Sequence, residues 1–532
     1  MCTADEYEAV APTATSDRAC APLTVCTAGE YEAVAPTATS DRACAPLTVC
    51  TVDEYEAVAP TATSDRACAP LSVCPPGQFT SVPATPTSDR ICEPCAVGTF
   101  STIENAPSCT PWTECQGGEV VGVPGTETSD RACVAEWVRQ FGTAGLDFAE
   151  AVAIDANGHI VVAGVVSGGL SDEPALGERD AFVRKLDREG NVLWTRQFGT
   201  SARERVFDVA VDPAGSIYVG GSTEGTFPGE TSSGGEDGFV RKYDADGNAL
   251  WTRQLGTAGA DRVTALEVDS AGDLVVVGWV RNALAGQTSL GWQDAFVRKY
   301  DAAGNALWTV QFGTNESDYA YGVALDDEDA IYVIGETWGE FAGQTAAGFA
   351  DAFVQKLDAQ GNALWVRQFG TDDSDYATAV VADPEDGAVV VVGETFGTFG
   401  GGPYLDYADG FVRRLDAAGN TLWTTQFGGY DDEYVYAVAV DAAGDVVIGG
   451  STYDVFPGED GAGGADAYLL RFDRTGAVVG LRQFGTDDDD AVYAVVVDDQ
   501  GDLVVVGDTA GTFAGQTSSG DVDAFVAKLA SP

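Results

Sequence analysis

The chain has 532 residues, with 28 Lys+Arg against 83 Asp+Glu and a net charge of −55 at neutral pH. So acidic a surface repels phosphate backbones and anionic lipid, which disfavours nucleic acid and membrane surfaces as partners. At 45% hydrophobic and 10% aromatic the chain is a folding one, and it contains no run of about 18 apolar residues that would insert in a bilayer.

The first 133 residues hold all twelve cysteines. Five pairs are each 18 residues apart: Cys2 and Cys20, Cys26 and Cys44, Cys50 and Cys68, Cys74 and Cys92, Cys115 and Cys133. A shorter pair, Cys95 and Cys109, sits before the last of these. The first three units, Glu-Tyr-Glu-Ala-Val-Ala-Pro-Thr-Ala-Thr-Ser-Asp-Arg-Ala-Cys, are nearly identical at a 24-residue period. Units that short and that rich in Thr, Ala and Pro bury too little surface to stay folded unaided. An even cysteine count at fixed spacing therefore reads as a disulfide framework made in an oxidising compartment. Zinc would want Cys-x2-Cys knuckles or Cys/His sets, and only Cys92-x2-Cys95 fits, the one histidine being His159 far away. Spacing alone leaves the connectivity open, consecutive pairing being the simplest choice. Met1 runs straight into a repeat already under way, with no secretory leader visible. Taken with the cysteines, this gives the expectation that the start lies inside a longer reading frame and that the protein works extracellularly or at the cell surface.

The stretch Cys74-Pro-Pro-Gly-Gln-Phe…Thr-Ser-Asp-Arg-Ile-Cys92-Glu-Pro-Cys95…Cys109…Cys115…Thr-Ser-Asp-Arg-Ala-Cys133 resembles the cysteine-rich repeat of tumour-necrosis-factor/nerve-growth-factor receptors. The resemblance implies a rod of end-to-end modules outside the cell and supports pairing of consecutive cysteines. Residues 2–73 depart from it, lacking the Cys-x2-Cys step. Their near-identity points to a spacer in which length matters more than any side chain. The expected division is a cysteine-rich stalk over 1–134 and a second domain over 135–532.

From residue 137 onward a different repeat takes over. Asp-Ala/Gly-Phe/Tyr recurs at Asp180, Asp237, Asp294, Asp351, Asp409, Asp466 and Asp523, a period of 57 residues with a single step of 58. Units of this size cannot bury their own apolar faces and must complete one another. Alternation and turn signals divide each into four strands, a to d. In the sixth these are expected at 436–441, 445–452, 466–473 and 477–485, with glycine supplying the turns. Gln-Phe-Gly (Leu once) ends strand d at Gln140, Gln197, Gln254, Gln311, Gln368, Gln426 and Gln483, giving seven copies. The first copy, Trp137-Val-Arg-Gln-Phe-Gly-Thr143, precedes any a, b or c strand, and the last unit stops after strand c. Pairing the two closes a ring and removes the exposed sheet edges. The expected fold is all-β: a seven-bladed β-propeller with a terminal strand clasp. Over 137–532 the chain resembles the bacterial seven-bladed β-propeller repeat (SBBP) family, through Val-Asp-x-x-Gly-x-x-Tyr-Val-x-Gly and Asp-Ala-Phe-Val-x-Lys-Leu-Asp.

A residue present in every copy is best explained by equal structural positions. The strand-d tryptophans at 137, 194, 251, 308, 365 and 423, with Gly480 in the seventh slot, read as blade-to-blade packing. Asp-Ala-x-Gly-Asn-x-Leu-Trp also resembles the tryptophan-docking repeat of quinoprotein dehydrogenases, but no unique acid–metal–quinone set accompanies it. Asp244-Ala-Asp-Gly-Asn248 matches the opening of a calcium loop yet has glycine one place early and no downstream Glu, so a hairpin turn is expected. No His-Glu-x-x-His, Gly-x4-Gly-Lys-Ser/Thr or Gly-x-Ser-x-Gly is present. The protein is read as non-enzymatic, a propeller enzyme of carbohydrate-active or quinoprotein-like type being the alternative and a purely structural, salt-tolerant surface protein a third reading.

What departs from the repeat is more informative. The b-to-c and d-to-a loops emerge on one face, and long loops on a rigid scaffold are where binding usually resides. The loop entering blade four reads Asn315-Glu-Ser-Asp318, and those entering blades five to seven carry Asp372, Asp373 and Asp375, then Asp431, Asp432 and Glu433, then Asp487, Asp488, Asp489 and Asp490. These are expected to form a continuous acidic arc that solvates the surface, meets a cationic partner or binds Ca²⁺ weakly, calcium being the one candidate cofactor. The expected role is adhesion or scaffolding by a monomeric propeller that binds an extracellular protein or a glycan.

Overall fold

The computed structural model describes every residue except 115–118, 124, 171–172, 402–406 and 460, together with the backbone but not the side chains of 119–123 and 132–135. The chain divides into two compact units, one holding Met1–Gln116 and the other Val134–Pro532. Among the described residues there is no α-helix, only one 3₁₀ turn at Phe399–Gly401, and no helix long and apolar enough to cross a membrane.

Each N-terminal repeat is a two-stranded antiparallel hairpin, such as Glu30–Val34 with Ala43–Pro46, in register Tyr31 to Ala45. Consecutive cysteines are bonded: Cys2–Cys20, Cys26–Cys44, Cys50–Cys68, Cys74–Cys92 and Cys95–Cys109. The expected Cys115–Cys133 bond lies outside the described residues. Among the described residues of the array only Cys74, Cys95 and Ala106 are buried apolar ones, so covalent staples stand in for a core. The recurring Thr-Ser-Asp-Arg joins neighbours. Asp41 accepts from the backbone N–H and hydroxyl of Thr24 in the preceding unit at 2.8 and 2.5 Å, and Asp65 and Asp89 do the same for Thr48 and Ser72. These hydrogen bonds hold the Asp41 carboxyl below its usual range. The arginine pairs within its own hairpin, Arg42 to Glu32 at 3.2 Å.

The second unit is a ring of seven four-stranded antiparallel sheets. In blade 1 strands a to d are Phe148–Ile154, Ile160–Val166, Asp180–Leu186 and Val192–Phe198. Blade 7 is Asp490–Val497, Leu503–Thr509 and Asp523–Leu529, completed by Trp137–Phe141. That clasp pairs Trp137 with Lys528 and Phe141 with Ala524, and Glu136 secures it by accepting from the Ala530 N–H at 3.0 Å and from Arg482 at 2.6 Å. In blade 6 the strands are Glu433–Val440, Val446–Thr452, Asp466–Phe472 and Val478–Phe484. Strand a thus begins three residues before the expected 436, because a bulge between Val435 and Ala437 lets the ladder continue past it. Strands b and c are buried on both faces, and the seven apolar clusters each draw on two adjacent blades, as where Phe198 of blade 1 meets Phe227, Phe239 and Tyr243 of blade 2.

The strand-d tryptophans lock each blade to the next. Trp251 donates from Nε1 to the Ala302 carbonyl at 3.2 Å, while Arg253 donates to the Gly304 carbonyl at 2.8 Å. The ring lies so close to the turn that a Cβ on Gly304, whose φ is +79°, would come within 2.9 Å of it. Glycine is needed there for both reasons. At the seventh slot Gly480 faces Pro532, whose carbonyl carbon and oxygen occupy the space a side chain would take, which explains why tryptophan is replaced there. Gly304→Ala should therefore cost about 1–3 kcal/mol of propeller stability, measurable as a lower urea midpoint, whereas Gly272→Ala, equally left-handed but with nothing within 4 Å of a Cβ, should cost less.

Candidate functional site

Two buried carboxylates meet at every blade junction. The first residue of strand c (Asp180, Asp237, Asp294, Asp351, Asp409, Asp466, Asp523) is at most 3% exposed. Its Oδ2 accepts from the strand-d glutamine Nε2 at 2.6–2.9 Å, and that glutamine also donates to a b-to-c loop carbonyl, as Gln197 does to Gly168 at 2.9 Å. The acid that opens the following blade (Asp147, Glu204, Asp261, Asp318, Asp375, Glu433, Asp490) is equally buried and accepts the backbone N–H four residues before it. Between the two stands the glycine of Gln-Phe-Gly: a Cβ on Gly256 would lie 2.2 Å from Asp237 Oδ1 and 2.9 Å from Asp261 Oδ2. Burial, reinforced by the facing carboxylate, raises Asp147, Glu204, Asp261 and Asp490, and takes Asp318 and Asp375 up to about 6 and Glu433 to about 7.

This corrects the expected acidic arc. Asp318, Asp375, Glu433 and Asp490 are not surface ligands but buried junction acids in strand a. Asp372, Asp373, Asp431, Asp487, Asp488 and Asp489 are exposed on the loops and Asp432 is half-buried; Asp432 and Asp489 reach across to the b-to-c loop of the preceding blade, accepting the Ala408 and Ala465 N–H. Among the described residues no group of three or more His, Cys, Asp or Glu is placed to hold a metal ion. Asp244 is the expected hairpin turn, accepting from the Asp246 and Asn248 N–H. His159 is held by Asp155, which also pairs with Lys185 at 2.9 Å.

The chemistry that sequence reasoning missed lies along the axis. The strands a enclose a lumen of ≈ 520 Å³. Three of its wall positions carry an acid in one blade alone. Where Glu150 stands the other blades have Phe207, Thr264, Tyr321, Thr378, Tyr436 and Tyr493; where Asp208 stands they have Ala or Gly; where Glu267 stands they have Ala or Val. Burial raises each of the three to about 7, with Asp508 adding to the effect at Glu150 and Glu267 adding to it at Asp208. Water reaches Glu267, yet the lumen wall around it replaces enough solvent to penalise its charge. Asp208 is fixed by the Leu266 and Val209 N–H at 2.8 and 2.7 Å. Behind the ring tyrosines, on strand b, stand Glu336, Glu394 and Asp508, raised by burial to about 6, 7 and 6. The signal was present in the sequence, since aligning the seven strands a column by column isolates each acid against Ala, Gly, Val or an aromatic.

A cysteine-stapled hairpin array and a seven-bladed ring with a strand clasp are the features that family comparison can decide. The chain carries SBBP repeats. The beta-propeller repeat model matches 193–228 and 307–342, each running from strand d of one blade through strand b of the next, and the TNFR/NGFR cysteine-rich region matches 50–92 and 95–133. Similar proteins include the regulatory protein FlaEY of Caulobacter vibrioides, 28% identical over 351 residues, which cover 58% of this chain and 36% of that protein. The uncharacterized WD repeat-containing protein L264 of Acanthamoeba polyphaga mimivirus is 20% identical over 505 residues, 70% of this chain and 36% of that protein. The match thus spans 36% of the length of each of these relatives. Among solved structures, a Lactobacillus plantarum protein is similar at 13% identity and a TM-score of 0.39, covering 63% of this chain and 84% of that one. The Neurospora crassa Pan2 WD40 domain is similar at 9% identity and a TM-score of 0.36, covering 62% and 91%.

The SBBP propeller's buried acids dictate its pH response. A carboxyl whose folded pKa is raised stabilises the fold fully below its unfolded value near 4 and loses that contribution as pH climbs through the folded value. For the acids raised to about 6 and 7 the loss falls between roughly pH 4 and 7. Asp155, lowered to about 2 by Lys185 and its hydrogen bonds, acts oppositely and weakens the fold only in stronger acid. Calorimetry should show the propeller melting at least about 5 °C higher at pH 5 than at pH 8, and Asp208→Asn with Glu267→Gln should shrink that difference.

Proposed function

We propose that the protein works outside the cell as a non-enzymatic binding or scaffold protein. The TNFR/NGFR-type array serves as a spacer, and the looped face of the propeller engages an extracellular protein or glycan. The observation that carries this reading is the division of labour among side chains. Residues that recur in every blade are consumed by junctions, turns and blade packing, and the exposed departures from the repeat fall on the b-to-c and d-to-a loops. The five disulfides support an oxidising compartment. Ca²⁺ on the exposed loop carboxylates would need further oxygens from a partner, so the calcium proposal is one of weak, partner-assisted binding. Labelling intact cells with an antibody against the propeller tests location: signal without permeabilisation is expected, and signal only after lysis would overturn the extracellular assignment. Calorimetry with millimolar Ca²⁺ should give at most weak heat for the isolated protein, and a submicromolar site would overturn the partner-assisted form.

A second reading, that of a propeller enzyme, is favoured by one observation: Glu150, Asp208 and Glu267 share a lumen and are each held near neutrality, the condition for general acid–base work. It predicts turnover in a screen of oligosaccharides that Glu150→Gln lowers at least about 100-fold. Absence of any product across the screen supports the binding reading.

A further inference from the structure

We propose that the loop face of blades 4–7 is a docking surface for a Lys/Arg-rich polypeptide segment of a partner. This rests on the binding reading above and names the partner's chemistry. The surface is aromatic first. Trp338, Phe349, Tyr430 and Tyr453 are 52%, 71%, 81% and 52% exposed and sit in the b-to-c loop of blade 4, the d-to-a loop entering blade 6 and the b-to-c loop of blade 6. Tyr407 on the b-to-c loop of blade 5 is 61% exposed as well, and Trp292 on that of the adjoining blade 3 is 65% exposed and extends the aromatic surface to the edge of this half. Large aromatics left this open mark an interaction surface, and Trp and Tyr are the residues that anchor partners.

Charge decides the occupant. From the glycine that ends one strand d to the aspartate that opens strand c, blades 1–3 carry Arg179, then Arg203 and Arg205, then Arg262 and Arg281. The same segments of blades 4–7 (313–351, 370–409, 428–466 and 485–523) contain no Lys or Arg at all. On the first side the anions are answered, Arg203 pairing with Glu178 at 2.7 Å and Arg262 with Glu236 at 3.1 Å. On the second side Asp372, Asp373, Asp431, Asp487 and Asp488 stand exposed with no cation supplied by their own loops.

The lumen mouth on this side continues the pattern. Tyr436 and Tyr493 lie with ring centroids 5.2 Å apart, Tyr493 shares its hydroxyl with Asp508, and the other carboxyl oxygen of Asp508 is buried without a hydrogen-bond partner. Carboxylates interleaved with aromatic faces suit an ammonium or, better, a guanidinium, which bonds to the one and stacks on the other. An anionic partner is repelled. A neutral glycan would use the rings but has no need of a face stripped of every cation.

The test is fluorescence anisotropy of a fluorescein-labelled octa-arginine peptide on the whole protein. Because a chain of net charge −55 attracts any polycation, the comparison is between faces at equal charge. D372N/D373N/D487N/D488N on the loop face should weaken binding at least about tenfold, while E189Q/D246N/D327N/E328Q on the opposite turns should change it less than about twofold. W338A/F349A, which leaves the charge unaltered, should weaken it at least about fivefold. Melting temperatures of all three variants confirm that they fold. Equal weakening by both charge variants, with none from the aromatic pair, means diffuse attraction only and overturns the proposal. If the peptide binds no variant differently but a glycan array shows a ligand that W338A/F349A loses, the cationic partner is wrong and the binding reading stands. If no ligand of either class is affected by any loop-face variant, the binding reading fails as well.

Discussion

The propeller depends on one arrangement used seven times: two buried carboxylates and a glutamine gathered around a glycine with no room for a side chain. Each junction ties together four segments that are distant along a blade. The glutamine joins strand d to the b-to-c loop and to the aspartate of strand c, as Gln254 does with Gly225 and Asp237. The acid of the next blade takes the backbone N–H that follows the glycine, and where a strand-b threonine is near it takes that hydroxyl too, as Glu204 does from Thr223 at 2.7 Å. Burying two carboxylates side by side is costly unless hydrogen bonds answer them, and the spare oxygens of Asp180, Asp237, Asp409, Asp466 and Asp523 have no partner. Burial, with the facing carboxylate adding to it, is why raised carboxyl pKa values recur among the acids that open each strand a. The acidity of the chain is thus partly interior architecture and not only surface.

The N-terminal array solves the opposite problem with the opposite means. Among its described residues almost no apolar surface is buried, so cohesion comes from the five disulfides inside the hairpins of residues 2–109 and from an aspartate that reaches back to the previous unit. Both depend on local sequence, yet spacing alone left the connectivity open and consecutive pairing was what the receptor resemblance supported, while the aspartate of Thr-Ser-Asp-Arg was passed over because its partner lies in the preceding unit. The propeller's count, phase and terminal clasp were legible, because a strict period transmits its geometry to every copy and an orphan strand d at 137–141 has only one place to go.

What could not be read was which acids face inward. In the loop entering blade five the run Asp372-Asp373-Ser374-Asp375 looks uniformly exposed, yet strand a starts at its last member and carries Asp375 into the junction. Position relative to the ladder, set by the bulge in strand a, separates Asp375 from Asp372, and composition does not carry that information. The lumen acids were hidden for a different reason. A repeat draws the eye to what its copies share, while Glu150, Asp208 and Glu267 are visible only as departures at positions that small or aromatic residues otherwise fill.

Seven-fold repetition therefore sorts this molecule's side chains by their energetic role. A residue found in every blade is held there by a requirement that every blade has, and the junctions, the tryptophan locks and the aspartate turns account for such requirements. An acid that appears in one blade meets no such requirement and brings a desolvation cost besides. Glu150, Asp208 and Glu267 carry that cost without a lysine or arginine in contact to offset it; Arg179 and Arg205 act on Glu150 only through the field. Ring closure alone would be served as well by the alanine, valine or tyrosine of the neighbouring blades. Their presence in blades 1–3 alone, across the axis from the half of the loop face (blades 4–7) that has lost every cation, breaks the seven-fold symmetry in two separate places, and that asymmetry is what a repeat built only for stability would lack.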